Sequence, residues 1–331
     1  MAAAFDASAF VGRTVKEMDT ALKAYQAGQT AAPKADRKMA SPAGEVEAAL
    51  KALTDEGDDN TIRRNAALKI GSMRASVTEK TVARVVKELG NPHNCSVGGG
   101  AISVRRAALL AFTELCGGDH KSLPSAVVGC APGVADLLRH EDADAREMGV
   151  RAMAALGARA DCIAVALRLA DDENDVRSAA SDTLVVLKDV LAADAISAIA
   201  VHLRCETDDE IRAWALRTLG GVGPPAAAQA GAVAACLADE GTMALCPPSR
   251  ALAVQALGAF GPPSAAAHLH AVAAVLEDAE EETCVRAAAI AAIGALGDAD
   301  GFGEVVSELL YDPDRSVRSA ATVVCKRWGL V

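Results

Sequence analysis

Six histidines are the residues of this 331-residue chain whose type could support metal or proton chemistry. His268 and His270 stand two positions apart, a spacing that on a helix points their rings about 200° apart. His140 precedes Glu141, and this is the one histidine–glutamate pair of the chain. Nine cysteines lie at least ten residues apart and form no zinc-binding spacing. The sequence therefore predicts no catalytic residue, no cofactor and no metal ion.

A second set of chemically capable residues consists of eight arginines that recur at intervals of 31 to 42 residues. They are Arg63, Arg105, Arg146, Arg177, Arg212, Arg250, Arg286 and Arg318. A period of this length is typical of stacked-repeat proteins, in which one unit is too small to bury its own apolar face. Eight cations in a row could also form a basic ladder for an acidic partner. The residues around each arginine are therefore needed to distinguish a structural role from a binding role.

The residues that follow each arginine predict a helix packed closely against another helix. Alanine stands three places after the arginine in seven blocks and glycine in the remaining one, while the residue seven places after is apolar in all eight. Both positions lie on one helix face, and so small a residue there lets a neighbouring helix approach. Four blocks then continue with glycine, at Gly71, Gly220, Gly258 and Gly294. Acidic turns precede most of the arginine helices and suit the free amides at a helix N-terminus. We therefore expect units of helix A, an acidic turn and helix B.

Composition supports an all-α fold and excludes two classes of partner. Hydrophobic residues make up 51% of the chain and aromatic residues only 3%, because alanine, the best helix former, dominates the apolar set. The net charge of −11 repels phosphate backbones, so we predict no nucleic-acid binding. Charges interrupt every apolar stretch well before the roughly 20 residues of a spanning helix, so we predict no membrane insertion. An odd number of dispersed cysteines is typical of buried thiols in a reducing compartment.

The chain divides by composition into two parts. Residues 1–44 are predicted to form an N-terminal helical arm and linker, with a helix over 7–27 and a linker rich in Gly, Pro and Ser over 28–44. Residues 45–331 are predicted to form one continuous repeat domain, which the arm would cap at its first unit. A cytoplasmic location is the expectation, and the mildly basic residues 1–44 leave organellar import open.

The residues from Leu309 to Ala321 resemble a HEAT repeat, with Asp312, Pro313 and Asp314 in the turn and Arg318 in the helix that follows. The subtype is the short one shared with bilin-lyase-like proteins, and the resemblance covers roughly residues 45–331. It implies a right-handed α-solenoid of about eight HEAT-like helical hairpins whose B helices line the concave face. It also implies that each repeat arginine pairs with a turn acid of its own or an adjacent unit. The arginines would then stabilise the stack and would not bind a partner.

The same resemblance leaves enzymatic and regulatory alternatives open, because this repeat serves scaffolds, adaptors, transport factors and a few enzymes. A bilin or tetrapyrrole lyase-like activity would be expected to use aromatic contacts, yet Trp214 and Trp328 are the only tryptophans and we expect both to be packed. The HEAT-type di-iron hydroxylase that modifies deoxyhypusine needs four histidine–glutamate motifs, and this chain has one. A regulatory subunit of a signalling enzyme would differ from a scaffold by exchangeable association.

We predict a non-catalytic protein-binding scaffold or a structural subunit of a larger assembly. The predicted docking residues on the concave face are Glu147, Arg151, Asp182, Trp214, Arg217 and Gln255. A second predicted surface is an acidic edge that would steer a basic protein partner, formed by Asp58, Asp59, Asp142, Asp144, Asp172, Glu173, Asp208, Asp209, Glu281, Glu282 and Asp314. Insertions at 90–101 and 239–248 replace two acidic turns, and loops that interrupt an array are further candidate contacts.

Overall fold

The computed structural model describes residues 41–54, 60–91, 103–117, 123–238, 244–262, 266–278, 280–297 and 299–331. The chain divides into two units, Met1–Ser41 and Pro42–Val331, and the helices given below belong to the second unit. The predicted helix over 7–27 and most of the predicted linker lie outside the described residues. The linker prediction is wrong at its end, because the first described helix begins at Pro42. Proline lacks only an amide hydrogen that a first-turn residue would leave unpaired, so it can begin a helix.

The described residues of the second unit form eight helical hairpins and contain no strand. The helices in the A position are α1 (Pro42–Leu53), α3 (Glu79–Leu89), the pair α5 (Ser125–Gly129) and α6 (Ala131–Leu137), α8 (Cys162–Leu167), α10 (Ala193–Cys205), α12 (Ala230–Ala238), α14 (Leu269–Glu277) and α16 (Ala299–Glu308). The B helices are α2 (Asn60–Ser72), α4 (Val104–Cys116), α7 (Ala143–Leu156), α9 (Asn174–Val186), α11 (Asp209–Val222), α13 (Pro247–Phe260), α15 (Thr283–Leu296) and α17 (Arg315–Trp328). The predicted all-α architecture of eight hairpins is confirmed.

The core lies where each B helix packs on its own A helix and on the next B helix. The small residue three places after each repeat arginine and the apolar residue seven places after it are buried in all eight hairpins. A Cβ atom on Gly258 of α13 would lie 3.0 Å from the Cα of Ala292 in α15, and one on Gly71 of α2 would overlap the Cβ of Glu114 in α4. Glycine at this position therefore allows neighbouring B helices to touch through their backbones.

The A helices are less regular than the sequence predicts. A 3₁₀ turn over Pro224–Gln229 precedes α12, and another over Ala266–His268 precedes α14. In the third hairpin, helix A is divided into α5 and α6, and Pro132 lies in the first turn of α6. Proline has no amide hydrogen to donate inside a helix, and this explains why helix A is interrupted just before Pro132.

The burial of each cysteine and tryptophan side chain depends on its position in a hairpin. Trp214 and Trp328 pack partly buried against the core, as predicted. Cys116, Cys130, Cys236 and Cys325 are buried, and burial raises the pKa of the Cys116 thiol to about 12. The prediction of buried thiols is wrong for Cys205, Cys246 and Cys284, which are exposed because they lie at or beside helix ends. No helix in the described ranges has the length and apolar character needed to cross a membrane.

Candidate functional site

The repeat arginine of the third hairpin, Arg146, joins that hairpin to the fourth. Its Nε and one terminal nitrogen donate to the two carboxylate oxygens of Asp171 at 2.9 and 2.7 Å. The same terminal nitrogen donates to Asp172 at 2.6 Å, and the other donates to the main-chain oxygens of His140 and Glu141 at 3.1 and 2.9 Å. The guanidinium therefore closes its own turn through carbonyl groups and binds the next turn through carboxylates. His140 and Glu141 serve this turn, since the His140 ring also accepts a main-chain hydrogen bond at 3.0 Å.

Four other repeat arginines also pair with a carboxylate of the following hairpin, and we call the series the arginine ladder. The pairs to the following hairpin are Arg105 with Asp142 at 2.5 Å, Arg177 with Glu210 at 2.6 Å, Arg250 with Glu281 at 2.5 Å and Arg286 with Asp312 at 2.5 Å. The expected pairing with an adjacent unit is confirmed. The expected pairing within the unit needs a correction for Arg177 and Arg318, because the acceptor six residues earlier is the main-chain oxygen and not the carboxylate.

Hydrogen bonds from the repeat arginines lower the pKa values of two ladder carboxylates. The pKa of Asp142 lies below its usual range because Arg105 donates to the carboxylate. Burial alone would raise the pKa of Asp171, but the hydrogen bonds from Arg146 and neighbouring groups outweigh that effect and hold the pKa low. The two carboxylates stay ionised at neutral pH. Removing one partner of such a buried ion pair costs about 3 to 5 kcal/mol, so the ladder contributes to holding the hairpins together.

The acids of the predicted acidic edge divide into those that bind arginine and those that face solvent. Asp142, Asp209 and Glu281 bind repeat arginines and are only partly exposed. Asp314 accepts main-chain hydrogen bonds from Ser316 and Val317 and so caps α17. The exposed members are Asp144, Asp172, Glu173, Asp208 and Glu282, although Asp144 also pairs with Arg105 at 3.6 Å and Asp172 with Arg146 at 2.6 Å. Asp58 and Asp59 lie outside the described residues.

A second surface is formed by the positions five places after each repeat arginine, and we call it the B-helix face. Its residues are Leu68, Leu110, Arg151, Asp182, Arg217, Gln255, Ala291 and Val323, and each is at least partly exposed. The face is polar across the four middle hairpins and apolar at both ends. Three of the predicted docking residues, Arg151, Asp182 and Arg217, therefore lie on consecutive hairpins, and Gln255 follows them on α13.

Five of the predicted docking residues come together as a charged cluster, defined as Glu147, Arg151, Asp182, Trp214 and Arg217. Arg151 donates from Nε to Glu147 at 2.7 Å along α7. Asp182 on α9 is half-buried, and both Arg151 and Arg217 act on its charge. Arg217 on α11 places its guanidinium carbon 5.2 Å from the centre of the Trp214 ring, a cation–π contact. The cluster thus alternates negative and positive groups across three B helices.

The electrostatic balance of the cluster is incomplete at Asp182. Burial raises the pKa of its carboxyl, and the attraction of Arg151 and Arg217 offsets only part of that effect. A partly buried carboxylate with residual desolvation cost gains from a further hydrogen-bond donor. Asp182 can therefore accept a further hydrogen bond from a ligand.

Buried hydroxyl groups fix the helices beneath the cluster. Thr183 on α9 donates to the Val150 carbonyl on α7 at 3.3 Å, and Thr218 on α11 lies 2.9 Å from the Ser181 hydroxyl on α9. These residues were not predicted, although the sequence contains a signal for them. Both threonines stand six places after a repeat arginine, where four other hairpins carry alanine.

The sequential stacking of helical hairpins through their B helices defines the chain as a helical solenoid. Residues 244–325 match the family model described as HEAT repeats. Among solved structures, it is similar to yeast importin-beta (Kap95p), with 16% identity, a TM-score of 0.54, and coverage of 93% of this chain and 43% of that one. It is also similar to Kap95p in a structure described by its binding to RanGDP, with 17% identity, a TM-score of 0.52 and the same coverage.

These likenesses show the fold, and the chain spans less than half the length of the importin-beta chains that it matches. No curated protein matches this chain.

Proposed function

We propose that this chain is a non-catalytic protein-binding scaffold, or a structural subunit of a larger assembly, that docks a protein partner on its B-helix face. The observation that carries the proposal is the charged cluster. Its groups come from three consecutive hairpins, and the ladder pair of Arg146 with Asp171 helps to hold two of those hairpins in register. A surface fixed in this way costs little ordering entropy when a partner binds.

The chemistry of the cluster fits a protein–protein contact. Arginine and tryptophan are the residue types that most often dominate binding energy at interfaces, and Arg217 here is exposed while it stacks on half-buried Trp214. Half-buried Asp182 beside them would accept a donor from the partner. Because the ring of Trp214 is already covered by a guanidinium, the arrangement favours a protein partner over a flat tetrapyrrole.

Fold-level analogy points the same way. Yeast importin-beta (Kap95p), a similar helical solenoid, is described as binding RanGDP, which is a protein. This likeness of fold supports the class of function.

The test compares two exposed arginines of one hairpin on opposite faces. The tagged chain is used to recover its partner from native cells, and the affinity of the purified partner is then measured by titration calorimetry for Arg217→Ala and Arg204→Ala. We expect Arg217→Ala to weaken binding at least tenfold, because it removes a guanidinium at the centre of the surface. Arg204 lies exposed on α10, a helix in the A position, and its loss should change the affinity less than twofold. Equal effects of the two variants would contradict the proposed docking face.

The acidic edge is proposed as a secondary contact for a basic partner. Five of its carboxylates face solvent, namely Asp144, Asp172, Glu173, Asp208 and Glu282. If these carboxylates contribute to binding, the affinity of the chain for its partner should fall steeply as the salt concentration rises. An affinity that does not change with salt would show that the acidic edge is not a contact. Fast exchange of the recovered partner would identify a regulator, and co-purification at fixed stoichiometry would identify a constitutive subunit.

A further inference from the structure

The last two B helices enclose an open groove that lies outside the charged cluster. Its volume is about 390 Å³, and its lining includes Ala291 of α15 and Ser316, Ser319, Ala320, Val323 and Arg327 of α17. Val323 leaves 58% of its surface exposed at a position where the middle hairpins carry Arg, Asp or Gln. The apolar end of the B-helix face is therefore a concave surface with an uncovered aliphatic wall.

The sign of the charge reverses at this groove. Helix α17 carries Arg315, Arg318, Lys326 and Arg327 and no acidic residue, in a chain whose net charge is −11. Within the described ranges, no carboxylate forms an ion pair with Arg315, Lys326 or Arg327, and all three side chains are exposed. The arginine of the other groove helix, Arg286, is already paired with Asp312. In the part of the chain that the structure describes, Arg315, Lys326 and Arg327 thus have no carboxylate partner, whereas the charge of Arg318 acts on Asp314 at the start of α17.

Arg327 is held in place at one end of the groove. Its Nη1 donates to the main-chain oxygen of Gly294, near the C-terminal end of α15, at 2.9 Å. This hydrogen bond orients the planar guanidinium and leaves its other N–H groups for a ligand. A guanidinium presented in this way binds a carboxylate through two parallel hydrogen bonds.

The lining favours a protein segment over a nucleic acid. Aliphatic groups of Ala291, Ala320 and Val323 form the wall, and no aromatic ring lines the groove to stack a base. The volume lies at the small end of the range for ligand pockets, which suits a few residues of extended chain. Ser319 adds a hydroxyl group towards the N-terminal end of α17, where a peptide main chain can form hydrogen bonds, whereas the Ser316 hydroxyl already donates to Asp314.

We propose that this groove binds an extended acidic and aliphatic protein segment, with an aliphatic side chain against Val323 and a carboxylate on Arg327. The proposal rests on the proposed function, since it assigns a second docking point to the same scaffold. The proposed segment has a charge opposite to that of α17, and its binding requires no residue of the charged cluster.

The test uses three fluorescein-labelled eight-residue peptides and the full chain. One peptide alternates aspartate with leucine, one alternates aspartate with serine, and one alternates lysine with leucine. Fluorescence polarisation should show binding of the aspartate–leucine peptide with an affinity at least tenfold higher than that of the other two. Absence of a polarisation change up to about 1 mM of the protein, or equal binding of the aspartate–serine peptide, would overturn the proposal. A labelled single-stranded oligonucleotide that bound as well would overturn it too, because phosphate would then suffice.

Variants locate the peptide in the groove. Arg327→Ala and Val323→Asp should each weaken binding of the aspartate–leucine peptide at least tenfold, Arg327→Lys should retain part of the affinity, and Arg204→Ala should leave it unchanged. Val323 is mostly exposed, so Val323→Asp keeps the test valid even if Arg327→Ala loosens α17. Peptide binding that survives both groove variants would refute the groove. Loss of peptide binding in Arg217→Ala alone would refute the groove while leaving the proposed function intact.

Discussion

Substitution of Arg146 by methionine tests the arginine ladder most sharply, because a matched control lies on the same helix. Arg146→Met removes the two hydrogen bonds that Arg146 donates to Asp171, whose side chain is only 1% exposed, and leaves that carboxylate with a single arginine hydrogen bond, from Arg168 at 3.1 Å. Removing one member of a buried ion pair costs about 3 to 5 kcal/mol. Arg151 lies five residues further along α7, is 38% exposed and pairs with Glu147, which lies in the preceding turn of the same helix and is 15% exposed. A pair four residues apart on one partly exposed helix face contributes about 0.3 to 0.5 kcal/mol, so Arg151→Met should cost much less than Arg146→Met.

The assay is unfolding in guanidinium chloride, followed by circular dichroism at neutral pH. In a stacked-repeat protein each unit contacts only its neighbours, so hydrogen exchange should show the loss of protection in α7 and α9 before the other B helices. Unfolding free energies of the two variants that agree within about 0.5 kcal/mol would refute the ladder as a stabilising element.

The same pair predicts a dependence on pH. Hydrogen bonds from Arg146 hold the folded-state pKa of Asp171 below its ordinary value of 3.8, so its contribution is fully present above that value and is lost as the pH falls through the lower, folded-state pKa. The difference in stability between the wild-type chain and Arg146→Met should therefore narrow in acid. A difference that stays constant below pH 3.8 would show that the ionised carboxylate is not what the arginine stabilises.

Three further predictions concern the cluster, the stack and the thiols. Burial raises the pKa of Asp182, so the ionised carboxylate disfavours the folded state at neutral pH. Asp182→Asn should therefore raise the melting temperature slightly and weaken partner binding. A melting temperature that falls together with the binding affinity would contradict this account. Gly71→Ala places a methyl group against the Cβ of Glu114 and should destabilise the chain by about 1 to 3 kcal/mol in urea unfolding, whereas Gly231→Ala meets nothing nearer than 3.9 Å and should be neutral or stabilising by up to about 1 kcal/mol. Thiol titration of the native chain should label exposed Cys205, Cys246 and Cys284 first and Cys116 only on unfolding, because its pKa is about 12; rapid labelling of Cys116 would contradict its burial.

The sequence was informative about the hairpins because each one repeats the same local requirements. The arginine interval, the small residue three places on and the apolar residue seven places on lie within one helix, so a helical period is enough to find them. Contacts between hairpins follow a different rule. Arg177 reaches Glu210, a residue 33 positions away, and only the stacking of one turn on the next brings them together. The sequence therefore predicted a turn acid as partner and did not distinguish the carboxylate of the next turn from the main-chain oxygen of the same one.

Surface features were predictable to different extents. The charged cluster was predicted as separate docking residues, since the fourth and fifth places after the arginine mark an exposed helix face. Its internal order, with Asp182 between two arginines, depends on the spacing of α7, α9 and α11, which the buried Thr183 and Thr218 help to fix. The groove at Val323 was not predicted, because a shallow concave surface arises only when two helices lie side by side. The insertion over 239–248 ends earlier than predicted, because Pro247 and Pro248 begin α13.

Oxidative footprinting of the chain with and without its recovered partner tests the docking face most directly. Trp214 marks the charged cluster, Leu167 marks α8, a helix in the A position, with 51% of its surface exposed, and Tyr311 is an internal reference that is 88% exposed. We predict that the partner lowers the oxidation rate of Trp214 several-fold and leaves the rate of Leu167 unchanged relative to Tyr311. Protection of Leu167 with Trp214 unchanged would contradict docking on the B-helix face.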